Sequence, residues 1–106
     1  MNRPVLRAQT LKVPDEWSGK NRLIRLGSLA WDAWLYDNDT FRAEVVCHST
    51  RITLSLRKEV NGRHKTAYWY AYTKIDGKTR KKYVGTAPEV TLERLEEIGQ
   101  AFLDAA

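Results

Sequence analysis

The chain has little of several features that define protein classes. It contains a single cysteine, Cys47, so no internal disulfide can form, and a lone thiol is typical of a reducing cytosol. No apolar run approaches the roughly 20 residues that cross a bilayer. Residues 1–7 lack the apolar core of a signal peptide. These absences predict a cytoplasmic protein without a membrane span.

Groups that carry catalysis or bind metals are also scarce. His48 and His64 have no second cysteine and no partner at metal-binding spacing. The serines are not in a nucleophile-elbow context, and the isolated glycines form no phosphate-binding loop. The acidic residues between positions 32 and 44 fall on a predicted helix surface and in turns. We therefore expect no enzyme, no metal site and no cofactor.

What the chain does have is an uneven distribution of positive charge. Its 106 residues suffice for one domain, and four Trp and five Tyr are too many for a disordered tail. The formal net charge is +5. Residues 57–82 hold nine Lys/Arg against two Asp/Glu, whereas residues 83–106 hold one against five. Such clustering favours an acidic partner.

Residues 1–26 show no single hydrophobic period. Their apolar residues are scattered and are interrupted by two prolines and a glycine. We expect this segment to be a partly ordered N-terminal arm that covers the domain, with one short strand near residues 22–26. Residues 27–106 are predicted to form a single α+β domain.

A short amphipathic helix is predicted before the sheet. Ser28 can cap it. Trp31, Trp34 and Leu35 follow at positions i, i+3 and i+4 of one face. The two tryptophans are interpreted as core residues; the alternative is a face that docks a protein partner, since tryptophan is common at interface hot spots.

Alternating and turn-forming residues predict an antiparallel meander after this helix. The second strand has the clearest alternation, with apolar residues at 52, 54 and 56. A C-terminal helix over residues 91–103 has an apolar side that can cover one sheet face. We therefore predict an α+β fold in which an antiparallel sheet of three to five strands packs against that helix. The predicted strands cover residues 41–47, 51–57, 67–74 and 79–85, with tight turns at Asn61-Gly62 and Asp76-Gly77.

The aromatic strand has two different faces. Tyr68, Tyr70, Tyr72 and Lys74 share one parity, and Trp69 lies on the other with small residues that suit close helix packing. We expect the tyrosines on the open face of the sheet. The reverse assignment is the alternative, because a β-bulge would exchange the faces.

Positive charge interleaved with aromatic rings is typical of nucleic-acid binding, because cations contact phosphates while tyrosines donate hydroxyls or pack on sugars. We predict duplex DNA as the partner, with one or two cations reaching guanine edges. The predicted contact residues are Arg57, Arg63, Tyr68, Tyr70, Tyr72, Lys74, Lys78, Arg80, Lys81 and Lys82.

Three alternatives stay open. The positive charge of residues 57–82, which we call the basic hairpin, can simply protect a sheet edge from pairing with another chain. The tyrosines can stack on the bases of RNA or single-stranded DNA. A protein partner can dock through Trp31 and Trp34, or through the acidic C-terminal helix with Glu93, Glu96 and Glu97. The oligomeric state is not predicted.

Part of the chain resembles a bacterial regulatory module. The matching residues are YWYAYTKIDGK at 68–78, KKYVG at 81–85 and LERLE at 92–96. They resemble a module near the N-terminus of LuxR/MalT-type transcriptional regulators, and the likeness runs from about residue 29 to the last residue. The order of strands and helix is more distantly similar to the arm-type DNA-binding domains of tyrosine recombinases, which lay a three-stranded sheet into the major groove. These resemblances imply a role in transcriptional regulation or in a mobile genetic element.

Overall fold

The structure is a computed structural model that describes residues 4–15, 18–60, 62–63 and 66–105. It has two layers, a seven-stranded sheet and two α-helices packed on one face of it. Neither α-helix within these ranges is long and apolar enough to span a membrane. The strands are β1 (Val5–Arg7), β2 (Thr10–Pro14), β3 (Asn21–Arg25), β4 (Thr40–Cys47), β5 (Thr50–Val60), β6 (Ala67–Ile75) and β7 (Lys78–Gly85); the helices are α1 (Leu29–Asp37) and α2 (Leu92–Asp104), with a 3-10 turn at Ala87–Glu89.

The sheet is larger than the sequence predicts, and it is mixed. Its strand order is β3-β2-β1-β4-β5-β6-β7, with β1 and β4 parallel and the other neighbours antiparallel. The prediction of three to five antiparallel strands is therefore wrong. Its failure has a physical cause: β1, β2 and β3 each bury one residue, Leu6, Leu11 and Ile24 respectively, so no alternation is visible. Residues 5–25, assigned above to an arm, supply these strands.

The short tryptophan helix is confirmed as α1. Its cap is Ser28, whose hydroxyl oxygen accepts a hydrogen bond from the Trp31 amide at 3.2 Å. Trp31 and Trp34 stack with ring centroids 6.1 Å apart, and both pack edge-to-face on Phe41 of β4. Both tryptophans are buried. They are core residues, and the folded chain does not present them as a docking face.

Helix α2 packs closely on the centre of the sheet. A Cβ at Gly99 would lie 3.0 Å from the side chains of Cys47, Ile52 and Val45, so glycine allows the helix to approach β4 and β5. The Cys47 thiol is buried and donates to the Glu96 carbonyl at 3.4 Å. Burial raises the pKa of this thiol, as expected for a small core residue rather than a nucleophile.

Gly85 marks the turn from the sheet to α2, and its replacement has a predictable effect. Its φ is +141°, and a Cβ there would lie 2.7 Å from the Glu89 Cβ. The Glu89 carboxylate also accepts from the Thr86 amide and hydroxyl, both at 3.1 Å. We expect Gly85→Ala to lower the free energy of unfolding by about 2 kcal/mol through backbone strain and overpacking.

Denaturant unfolding followed by tryptophan fluorescence measures this change. Gly62→Ala is the matched control, because no atom of the described residues lies within 4 Å of the position of its Cβ. Equal unfolding midpoints for both variants would contradict the expected strain at Gly85.

Candidate nucleic-acid interface

One face of the sheet is not covered by either α-helix of the described chain, and we call it the open face. Every buried strand residue lies on the opposite face, including Trp69 and Ala71 of β6. The prediction that the tyrosines of β6 lie on the open face is confirmed. By strand alternation and register, the open face holds eight cationic residues, Arg7, Lys12, Arg25, Arg42, Arg51, Arg57, Lys74 and Lys81, and two acidic ones, Glu44 and Glu59.

Four tyrosines form one group on this face, which we call the tyrosine cluster: Tyr68, Tyr70, Tyr72 and Tyr83. Tyr83 comes from β7, where it lies opposite Tyr70 beside an irregularity of the β6–β7 register. Its ring centroid lies 5.6 Å from that of Tyr70 and 6.0 Å from that of Tyr68. Tyr83 was not among the predicted contact residues, although simple alternation from Lys81 indicates its face.

Cations lie over two rings of the tyrosine cluster. The Lys81 ammonium is 4.2 Å from the Tyr70 ring centroid and 5.5 Å from that of Tyr72. The Arg57 guanidinium is 5.8 Å from the Tyr72 centroid. These distances are within the range of cation–π attraction. The rings of Tyr70 and Tyr72 therefore hold positive charge in place at the surface.

Glu59 contacts both Lys81 and Tyr72. Its carboxylate pairs with the Lys81 ammonium at 2.8 Å and accepts from the Tyr72 hydroxyl at 3.0 Å. The hydrogen bond from Lys81, followed by that from Tyr72, lowers the pKa of Glu59, and the bond to Glu59 raises the pKa of Lys81. Both groups are therefore ionised at neutral pH. The Tyr72 hydroxyl, predicted to contact nucleic acid, donates to a carboxylate in the free protein.

The remaining cations of β7 point the other way. Lys78, Arg80 and Lys82 lie opposite Ile75, Thr73 and Ala71, which places them on the helix side of the sheet. Accordingly, the Lys82 ammonium is 5.7 Å from the ring centroid of Phe102 in α2. The structure thus divides the predicted contact residues between two faces.

These two faces come together where β6 and β7 extend beyond β5. The β5–β6 register ends at the Ser55–Tyr72 pair, although the Thr73 hydroxyl still donates to the Thr53 carbonyl at 3.0 Å. Residues 73–80 therefore form a two-stranded segment, which we call the β6–β7 ribbon. It has exposed cations on both sides, Lys74 on one and Lys78 and Arg80 on the other.

Some residues between positions 57 and 82 lie neither on the open face nor in the β6–β7 ribbon. Lys58 points to the helix side, where its ammonium donates to the Leu35 carbonyl at 3.0 Å and the Tyr36 carbonyl at 2.9 Å. Arg63 is exposed between β5 and β6. Asn61 of the predicted Asn-Gly turn and His64 lie outside the described residues.

The acidic surface lies on the opposite layer. Glu93, Glu96 and Glu97 are exposed on α2, and Glu97 pairs with Arg94 at 3.6 Å. Arg94 also donates to the Val84 carbonyl at 3.1 Å and the Tyr83 carbonyl at 3.0 Å, which anchors α2 to β7. The charge of the molecule is therefore asymmetric, with cations on the open face and carboxylates on α2.

Comparison with known proteins places the chain in a family but finds no individual relative. No curated protein and no solved structure is significantly similar to the chain. A family model described as "Domain of unknown function (DUF6788)" matches residues 20–97, which include the tyrosine cluster and the β6–β7 ribbon but not β1 and β2. Because this match covers well over half of the sequence, the chain belongs to the DUF6788 family.

Proposed function

We propose that this domain binds duplex DNA through its open face and the β6–β7 ribbon. The observation that carries the proposal is the charge of the open face, where eight cationic residues face two carboxylates. Cations that neutralise phosphates release condensed counterions, and this release provides most of the affinity of DNA-binding proteins. The resemblances described above support a setting in transcriptional regulation or a mobile genetic element, in the cytoplasm.

The β6–β7 ribbon is the element best shaped to enter a groove. The seven strands extend about 29 Å from β3 to β7, whereas the major groove is only about 12 Å wide and admits a two-stranded ribbon. The ribbon has cations on both sides, so it can contact the phosphates on both walls of the groove. Lys78, in the residue pair next to the Asp76-Gly77 turn, is then placed to reach guanine edges.

The tyrosine cluster favours contacts with the backbone over base stacking. A stacked base needs a free ring face, and cations already lie over the rings of Tyr70 and Tyr72. Cations that are held in place lose less side-chain entropy when they bind phosphate. Tyr83 is the most exposed member of the cluster at 45%, so single-strand binding through that ring is the alternative to be tested.

The test is duplex binding across a salt series, comparing wild type with a Lys74/Lys78/Lys81 triple alanine variant, whose three residues lie on the open face or in the β6–β7 ribbon. Six phosphate contacts give a log–log slope of about −5 for wild type, and removing three contacts should reduce its magnitude by about 3. We expect at least a tenfold loss of affinity at about 0.15 M salt. Fluorescence anisotropy of a labelled duplex measures both quantities.

The control is a Lys20/Arg22 double alanine variant, because Lys20 is an exposed turn residue and Arg22 is an exposed residue on the helix side of β3. It should change the slope little. A flat salt response of wild type, or a triple variant identical to wild type, would remove the proposal. Competition with single-stranded DNA and RNA completes the test: if either competes better than duplex, the tyrosine cluster binds bases.

A further inference from the structure

We infer that the open face of β1–β4, together with Arg51 of β5, is a second DNA-contact site that engages the same duplex beyond the β6–β7 ribbon. This inference rests on the proposed function. It concerns residues that lie outside the basic hairpin and that the sequence does not group together. The cations of this second site are Arg7, Lys12, Arg25, Arg42 and Arg51.

Most of these cations are available to an external anion. Lys12, Arg25, Arg42 and Arg51 are exposed, and within the described ranges no carboxylate forms an ion pair with them. The fifth, Arg7, forms a two-pronged pair with Glu44, with N···O distances of 2.6 and 3.2 Å. The second site thus has an excess of positive charge that the folded chain does not neutralise.

The strand register connects the second site to the tyrosine cluster. Arg42 lies opposite Ser55, which lies opposite Tyr72, which lies opposite Lys81. In the other direction Arg42 lies opposite Val5, and Val5 lies opposite Lys12. This row crosses the sheet without a carboxylate. With seven strands it is about 29 Å long, which corresponds to about eight base pairs of duplex.

A cavity in the second site gives it a defined shape. It has a volume of about 250 Å³ and is lined by Arg7, Ala8, Glu44, Val46 and Arg51. It forms where β1 ends at Arg7 while β4 continues alongside β5. Two guanidinium groups therefore border one recess beside a single carboxylate, which suits a phosphate group entering from the open side.

The apolar residues of the second site fit the same ligand. Leu23 is 65% exposed and Val46 is 55% exposed, and both lie on the open face. Leu23 lies opposite Lys12, and Val46 lies opposite Arg51. Two strands, β2 and β1, lie between β3 and β4, so among the described residues these two side chains do not join in one hydrophobic patch of the kind that docks a protein. They can pack against deoxyribose while their neighbours contact phosphates.

The inference is tested by the salt dependence of binding to DNA of two lengths. The probes are hairpins with stems of about 6 and about 20 base pairs, the shorter being about 20 Å long and unable to reach across the sheet. For wild type we expect a steeper slope with the longer stem. An Arg25/Arg42 double alanine variant should reduce the magnitude of the slope by about 2 with the longer stem and leave it nearly unchanged with the shorter one.

The Lys20/Arg22 double alanine variant serves again as the control of equal charge. If Arg25/Arg42 and Lys20/Arg22 behave alike with the longer stem, the inference is overturned while the proposed function stands. If wild type binds neither stem, the proposed function itself fails. If the Arg25/Arg42 variant instead abolishes a wild-type dimer in analytical ultracentrifugation without altering DNA binding, the face is a contact between copies of the chain and the inference is wrong.

Discussion

Trp69→Ala is expected to lower the free energy of unfolding by about 3–5 kcal/mol, the range found when a large buried aromatic residue is truncated. Trp69 is 1% exposed and its ring packs on Phe41 with centroids 5.4 Å apart. Phe41 in turn contacts Trp31 and Trp34 of α1. Alanine would therefore leave a cavity between the tyrosine-bearing strand and α1. Domains of this size are stable by only about 5–15 kcal/mol, so the variant should lose between about a fifth and all of the free energy of unfolding.

Thermal unfolding by circular dichroism measures the effect. Tyr36→Ala is the control, since Tyr36 is an aromatic residue of α1 that is 83% exposed. It should shift the midpoint by no more than about 2–3 °C. A Trp69→Ala variant as stable as Tyr36→Ala would show that the aromatic core is not what holds α1 to the sheet.

Lys58→Met is the second substitution with a large expected effect, about 2–3 kcal/mol. The Lys58 side chain is 10% exposed and its ammonium lies 3.7 Å from Asp39. It donates to two carbonyls at the end of α1, a helix that has no basic residue in its own last turn. Methionine keeps an unbranched apolar side chain but leaves these carbonyls without their donor and removes a charge that complements the helix dipole.

Two measurements separate this structural role from DNA binding. Lys74→Met, at an exposed position of the β6–β7 ribbon, should leave the free energy of unfolding within about 0.5 kcal/mol of wild type but should weaken duplex binding. Lys58→Met should lower the free energy of unfolding and leave duplex binding by the folded protein unchanged. If Lys58→Met instead flattens the salt slope while stability is unchanged, Lys58 contacts phosphate and its assignment to α1 is wrong.

The elements that the sequence predicted correctly are those with several buried residues at one period. Helix α2 shows its period in Leu95, Ile98 and Phe102, and β5 shows it in three buried residues at 52, 54 and 56. Caps and turns fixed their limits, as at Thr91, whose hydroxyl accepts from the Arg94 amide at 3.1 Å. Strand β1, with three residues and one buried side chain, contains no such pattern, and its partner β4 lies 37 residues away in the sequence.

The candidate site was predictable to a similar degree. The face of β6 that carries the tyrosines was predicted correctly from the small residues beside Trp69. The contact residues of β7, however, were chosen for their charge and not by strand alternation. Strand alternation alone places Lys81 and Lys82 on opposite faces of the sheet. Arg25 and Arg42 were missed, although strands were predicted over both, because they lie outside residues 57–82 and their common face appears only when β1 and β2 join β3 to β4. Lys58 was not among the predicted contact residues, and its role at the end of α1 was not visible in the sequence because its carbonyl partners lie 22 and 23 residues earlier.

The parallel pairing of β1 with β4 makes β1 a narrow connection within the sheet. Among the described strands, every inter-strand ladder between the β2–β3 hairpin and β4–β7 passes through this three-residue strand. Short strands with few buried contacts are where native proteins open locally at low free energy. Amide hydrogen exchange should therefore be faster in β1–β3 than in β4–β6. A ligand that contacts Arg25 of β3 and Arg42 of β4 at the same time would bridge β1 and oppose this local opening. Binding should therefore slow amide hydrogen exchange in β3, at the far edge of the sheet.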